Sequence, residues 1–323
     1  MISKLINNPH VSFGSNGLLS QLVVRNMISP IQKSYLYLHI SVILWGFTAI
    51  LGALISLSAT SLVWWRVLIT SAFMLFIPGV LKEIRRLPPK LMWKFFGIGI
   101  LVGAHWICFY GSIKLANASI ALVCMSTASL FTAFFEPWIT RKHLNKVDII
   151  FGILIIPAMI LTTQGLEWQM MQGFWVGILS AALAALFAVF NKQYISQSTP
   201  QAVTAIEMSS AWLFLSLLFP ILIFSNYDLA FIPSSSDIIY LLVLAILCTV
   251  VPFILHLKAY EHLSAFTSNL IINLEPVYGI FLAILILNEH HDLSYQFYSG
   301  VILILLIVLL YPIIKRRSKT TKS

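Results

Sequence analysis

The chain has 323 residues, of which 59% are hydrophobic and 10% charged, with a mean hydropathy of +0.92. No water-soluble domain buries that share of apolar surface, so the composition excludes one and indicates a polytopic membrane protein. The net charge of +9 does not point to nucleic acid, because the basic residues fall in short loops and at the C-terminus, where membrane topology puts them.

Residues 1–34 are polar and carry no apolar core that would serve as a secretory signal. Two readings are open: a disordered cytoplasmic tail, or translation from Met27, where MISPIQKSYLYLH is an ordinary lead-in to a first span. Ten apolar segments follow, at 36–57, 61–81, 95–114, 118–140, 147–164, 172–192, 202–224, 237–257, 265–287 and 295–314. Helix-breaking or polar residues separate them: Pro88-Pro89, Asn145, Gly165, Thr199-Pro200 and the run from Pro233 to Ser236. A basic tail, 315–323, closes the chain. Cys108, Cys124 and Cys248 all lie within spans, without metal-type spacing, and read as packing residues.

Charge tests this count. With the N-terminus in the cytoplasm, all of the 20 Lys and Arg except Arg66 and Lys114 lie on the cytoplasmic side. The other side collects Glu167, Asp228, Asp237, Glu289 and Asp292. An error of one span would scramble this bias, so both termini are expected inside an inner (cell) membrane.

An internal repeat underlies the layout. Setting Ser129 against Pro276, an offset of 147, lays the fourth span over the ninth and puts Lys142 opposite Glu289. The halves are expected at 35–164 and 165–314, with five spans each. Five is odd, so the second half enters the bilayer upside down, as in secondary transporters whose sites lie at the midplane between inverted repeats. The expected fold is thus all-α, with ten transmembrane helices as two inverted repeats around a central cavity.

The ninth span is the most informative. It is long enough to cross a bilayer, yet it carries Asn269, Asn273 and Glu275, and Pro276 deprives the carbonyl of Ile272 of its helical donor. A carboxylate deep in a membrane helix costs about 2.5–3.5 kcal/mol on insertion scales, so it should face protein or water. At helical spacing Ser268, Glu275 and Gly279 share one face, and Asn269, Asn273 and Pro276 its neighbour.

The step LEPVYG followed by Asn288-Glu289 resembles the ninth helix of EamA-type transporters of the drug/metabolite transporter superfamily. ILWGFTA in the first span, WWRVLI in the second, YGSIKLANAS leading into the fourth and SLFTAFF within it extend the resemblance over roughly 36–314. The resemblance implies ten helices around a cavity and export or exchange of amino acids and other metabolites. It also implies that Glu289 is a gate or cap at a helix end. The chain departs from the pattern at Arg141-Lys142, where many members have Gly-Glu, and at the additional acidic-proline step Glu136-Pro137.

Several polar groups sit at membrane depth, each with two readings. Arg66 and Glu207 occupy pseudo-equivalent positions in the second and seventh spans: a salt bridge between the halves, separate handles for a substrate's carboxylate and amine, or snorkelling to the interface. Glu275 reads as a protonatable coupling group or as a hydrogen-bonded kink residue, and Glu136 as a loop anchor. His105 and His256, on partner spans, face a cavity or are satisfied in packing. Asn191 ends a small-polar stripe with Ser180, Ala184 and Phe187; Gly97, Gly99 and Gly103 read as close helix packing. Trp45 and Trp106 are deep enough to wall a cavity, while the remaining tryptophans suit an interfacial belt.

The expected substrate site is therefore drawn from Arg66, His105, Asn191, Glu207, His256, Asn269, Asn273 and Glu275. The adjacent residues Glu289, His290, His291 and Asp292 cannot converge on one ion, so no metal is expected. No phosphate loop, nucleophile elbow or HExxH occurs, so neither enzyme activity nor a cofactor is expected, and the driving force should be a proton or counter-substrate gradient. The partners are a small-molecule substrate and the lipid bilayer, with monomer and homodimer both open. The rival reading is an intramembrane enzyme or a lipid or lipid-amine flippase on the same fold.

Overall fold

The computed structural model describes residues 29–141, 143–163, 167–224, 230–288 and 294–320, and among them there is helix and no strand. The helices are α1 (Pro30–Leu54), α2 (Ala59–Phe76), α3 (Val80–Arg86), α4 (Pro89–Leu115), α5 (Ala118–Met125), α6 (Ala128–Thr140), α7 (Lys146–Ile153) and α8 (Ile155–Thr163) in the first half. The second half supplies α9 (Trp168–Tyr194), α10 (Pro200–Phe224), α11 (Ser235–Leu242), α12 (Val251–Ala259), α13 (Ala265–Ile272), α14 (Glu275–Leu287) and α15 (Tyr295–Thr320). A π-helical stretch, Val243–Val250, joins α11 to α12.

Helix starts fall where polar side chains can satisfy free backbone N–H groups. Ser29 and Ser234 close capping boxes with Gln32 and Asp237, and Ser58, Asn117, Asn145 and Ser264 cap α2, α5, α7 and α13. Prolines explain most interruptions. The α7–α8 break at Leu154 precedes Pro157, the α13–α14 break at Asn273-Leu274 precedes Pro276, and the π-helical stretch precedes Pro252, each proline withholding the donor that the upstream turn needs.

Eight segments are long and apolar enough to cross a membrane: α1, α2, α4, α5–α6, α9, α10, α11–α12 and α13–α14. The apolar part of α15, Tyr295–Tyr311, is shorter, and α7–α8 is divided at Leu154. Large apolar side chains such as Phe76, Leu217, Phe224, Leu285 and Ile302 lie exposed on these helices. In water each would forgo roughly 1.5–3 kcal/mol of burial, whereas lipid accepts them without loss. The chain is a multi-pass membrane protein.

The repeat offset reappears in the backbone. Displacing α5 (118–125) and α6 (128–140) by 147 gives the bounds of α13 (265–272) and α14 (275–287). Their C-caps, Arg141 (φ 54°) and Asn288 (φ 57°), are both left-handed and 147 apart. Helix pairings obey the same exchange: α9 packs on α4 as α1 packs on α12, while α2 meets α10 and α8 meets α15.

The two broken helices run antiparallel against each other. Asn273 Nδ2 donates to Ser129 Oγ at 3.1 Å, Asn269 Nδ2 to Thr132 Oγ1 at 2.7 Å, and the Phe266 amide to Glu136 Oε2 at 2.8 Å. Glu136 thus anchors the start of α13, as its sequence reading favoured.

Candidate functional site

A cavity opens where the broken helices cross. Counted out into its open mouth it spans about 620 Å³ of empty space, of which about 60 Å³ admits the centre of a water molecule, enough for a few waters or one small ligand. Its walls come from α1 (Trp45, Thr48), α2 (Arg66), α4 (His105, Trp106, Phe109), the α5–α6 pair (Met125, Ala128), α9 (Ala184, Phe187), α12 (Phe253, His256) and the α13–α14 pair (Asn269, Ile272, Glu275). Seven of the residues singled out from sequence therefore meet here: Trp45, Arg66, His105, Trp106, His256, Asn269 and Glu275.

Arg66 is 1% exposed and forms one wall. Its Nε donates to Thr249 Oγ1 at 2.8 Å and its Nη1 to Tyr110 Oη at 2.7 Å, while the guanidinium carbon lies 3.9 Å above the Trp106 ring. Hydroxyls and an aromatic face hold the cation without neutralising it. Thr249 reaches it from the π-helical stretch and itself donates to Leu244 O at 2.6 Å. Neither Thr249 nor Tyr110 figured in the sequence-derived site. Tyr110 lies one helical turn beyond Trp106, and Thr249 shares a face with Pro252 and His256 at helical spacing, so each left a signal in the sequence; the π-helical winding of 243–250 left none.

Glu275 is the first residue of α14, the end of the helix whose dipole favours negative charge. It is 6% exposed and makes no hydrogen bond among the described residues. Arg66 and Glu275 lie within Coulombic range of each other but are not an ion pair; among the described residues the one pair within 4 Å is Arg86 with Glu83. Both groups thus stay available at one cavity. Trp45 meets His256 edge-on at 5.0 Å, and His256 Nε2 has no partner among the described residues. His105 is tied elsewhere: its Nδ1 lies 3.0 Å from Ser180 O and 2.9 Å from Ser180 Oγ, which fastens α4 to α9.

Three expected site residues lie off the cavity wall. Asn273 is buried against Ser129, because the break at Asn273-Leu274 resets the helical phase and brings Asn269 and Glu275, not Ser268 and Glu275, onto the same lining. Asn191 and Glu207 are bonded to each other, Nδ2 to Oε2 at 3.3 Å, one turn beyond Phe187. The Arg66–Glu207 salt bridge considered from sequence is absent: both are buried, and each has other neighbours. Gly97 likewise departs from the close-packing expectation, since a Cβ there would meet nothing within 4 Å, whereas at Gly99 it would lie 2.6 Å from Glu207 Cα. Glu289 and the His290-His291-Asp292 run lie outside the described residues. Among the described residues, no group of three or more His, Cys, Asp or Glu could hold a metal ion.

The lining is symmetric in position and asymmetric in chemistry. Trp106 and Phe253, Phe109 and His256, Met125 and Ile272, and Ala128 and Glu275 are each 147 positions apart, and all eight line the cavity. The second half places an imidazole and a carboxylate where the first has a phenyl ring and a methyl group. Arg66 and its counterpart Glu207 each lie eight residues beyond a cap, at Ser58 and Thr199, but only Arg66 reaches the cavity.

Comparison with known proteins agrees with this architecture. No curated protein matches the chain. A solved crystal structure that is 14% identical superposes with a TM-score of 0.67, over 88% of this chain and 98% of the other, which shows a shared fold. The EamA-like transporter family model matches twice, at residues 32–164 and 171–312, once for each half of the fold. Those matches span most of the sequence, and the chain belongs to the EamA-like transporter family.

Proposed function

We propose that the protein is a secondary transporter, an exporter or exchanger, of small metabolites such as amino acids, working by alternating access. In this reading ten spans cross the inner membrane with both termini in the cytoplasm, α7–α8 and α15 completing the two five-span repeats. The observation that carries it is a small central cavity holding a guanidinium, Arg66, and a carboxyl group, Glu275, that are not paired with each other, between aromatic walls. A zwitterion satisfies both, its carboxylate on the guanidinium and its ammonium on the carboxylate, while Trp45, Trp106 and Phe253 cover its side chain.

Networks at the two ends of the cavity would serve as alternating closures. At one end Asp237 accepts from the amide and hydroxyl of Ser56 at 2.8 and 2.6 Å, and Lys114 donates to Ile55 O at 2.6 Å. At the other, Lys192 donates to Tyr260 O, and Asn191 to Glu207.

A thermal-shift screen of the purified protein against amino acids would find a ligand, because binding to the folded state raises its stability. Counterflow in proteoliposomes then tests turnover. A carrier accelerates labelled uptake when the same substrate is preloaded; uptake indifferent to preloading would exclude alternating access.

A further inference from the structure

We propose that Glu207 and Asn191 form a proton-binding site at the cytoplasmic end of the cavity, a site complete only while Glu207 carries a proton. Glu207 is fully buried and Asn191 is 1% exposed, with no cation within 4 Å of the carboxylate among the described residues. One of the two bonds that join a carboxylic acid to an amide is in place, Asn191 Nδ2 to Glu207 Oε2. The two remaining atoms of that ring, Glu207 Oε1 and Asn191 Oδ1, are both buried and without partners. With Glu207 ionised, both are acceptors and neither can satisfy the other. A proton on Oε1 donates to Asn191 Oδ1 and satisfies both, closing the cyclic acid–amide pair.

Among the described residues, no cation pairs with the Glu207 carboxylate. From α9, Lys192 is engaged with the Tyr260 carbonyl. From α12 and the turn after it come His256 and Tyr260, whose rings lie 4.4 Å apart and whose Nε2 and hydroxyl have no partners among the described residues. The Tyr260 hydroxyl is within Coulombic range of both Glu207 and Glu136, and Glu136 is held by the Phe266 amide. From α4, Gly99 lies against the Glu207 backbone, and Lys94 lies over the Tyr194 ring. The step itself is simple: a proton from cytoplasmic water binds Glu207 Oε1, and its return to that water leaves a carboxylate. Because an ionised Glu207 cannot be buried again unpaired, closure of this end requires proton binding. His256, which lines the cavity, joins the site to the substrate side through Tyr260. The link to transport rests on the carrier reading above; the proton site does not.

Infrared spectra of the purified full-length protein test the site without any substrate. At neutral pH the wild type should show the C=O stretch of a protonated carboxylic acid, kept in Glu275→Gln and lost in Glu207→Gln. In Asn191→Leu the band should move to higher wavenumber as it loses its amide partner. Should Glu207→Gln fail to fold, the Asn191→Leu shift decides alone. A missing wild-type band, a band indifferent to Glu207→Gln, or a band that does not move in Asn191→Leu overturns the proposal. So does a band that vanishes when choline is replaced by sodium, which would make the bridging ion a metal.

Discussion

Arg66 shows how a buried charge is kept without being cancelled. Two hydroxyls and an indole face hold the guanidinium in place, so the charge is oriented but still available to an anion. Lysine's compact ammonium lacks the planar fork that spans both hydroxyls and stacks poorly, so Arg66→Lys should lower substrate affinity about tenfold despite the conserved charge, equivalent to about 1.4 kcal/mol. Binding of the screened ligand to the variant, followed by calorimetry, measures it. Thr249→Val removes the hydroxyl that accepts from Arg66 and donates to Leu244 O, leaving a buried guanidinium N–H unpaired. The expected loss is about 1–3 kcal/mol, read as a lower unfolding midpoint. Gly99→Ala places a Cβ 2.6 Å from Glu207 Cα, against backbone that cannot swing aside. About 1–3 kcal/mol of overpacking should follow, whereas Gly97→Ala, with nothing within 4 Å of its Cβ, should be neutral in the same assay.

Among the elements, the paired broken helices are decisive, and proline is not their whole cause. The α5–α6 pair breaks at Ser126-Thr127, the same register as Asn273-Leu274, although Ser129 stands where the ninth span has Pro276. Shared cross-ties sustain both breaks: Asn273 to Ser129 and Asn269 to Thr132. Pro276→Ala should therefore retain the break, with amide exchange at 272–277 staying fast relative to the flanking turns. Asn273→Leu should cost more, about 1–3 kcal/mol, because Ser129 Oγ loses a donor in a site sealed from water. If Pro276→Ala instead slows exchange across the break, local chain stiffness and not packing is the cause. The 147-residue offset was legible in the sequence because span lengths and loop residues repeat even where side chains do not. The π-helical stretch was not legible, since a run of apolar residues reads the same at either winding; only Arg66 beside Thr249 reveals what the wider turn does.

At the scale of the whole molecule, the asymmetry of the charges gives the fold a direction. The first half contributes Arg66 and aromatic surface; the second contributes His256, Asn269 and Glu275, and holds Glu207 away from the cavity. Single reporter cysteines at Lys82 and Lys146 should label from the side of both termini, and one at Ala230 from the other side. These positions can be read after replacing Cys108, Cys124 and Cys248, of which the last two are buried. Tail ends that label from opposite faces would contradict the inverted arrangement.

By itself, the sequence determined that the chain lives in a bilayer and that it is built twice over, because hydropathy and charge act locally and leave their pattern along the chain. Which of the polar residues at membrane depth meet was decided only by tertiary structure. A break of two residues rotates Glu275 toward the cavity and Asn273 away from it, and one helix pairing sends Arg66 inward while its counterpart Glu207 finds Asn191. Such outcomes depend on helical phase and on neighbours far away in the chain, and no single segment encodes either.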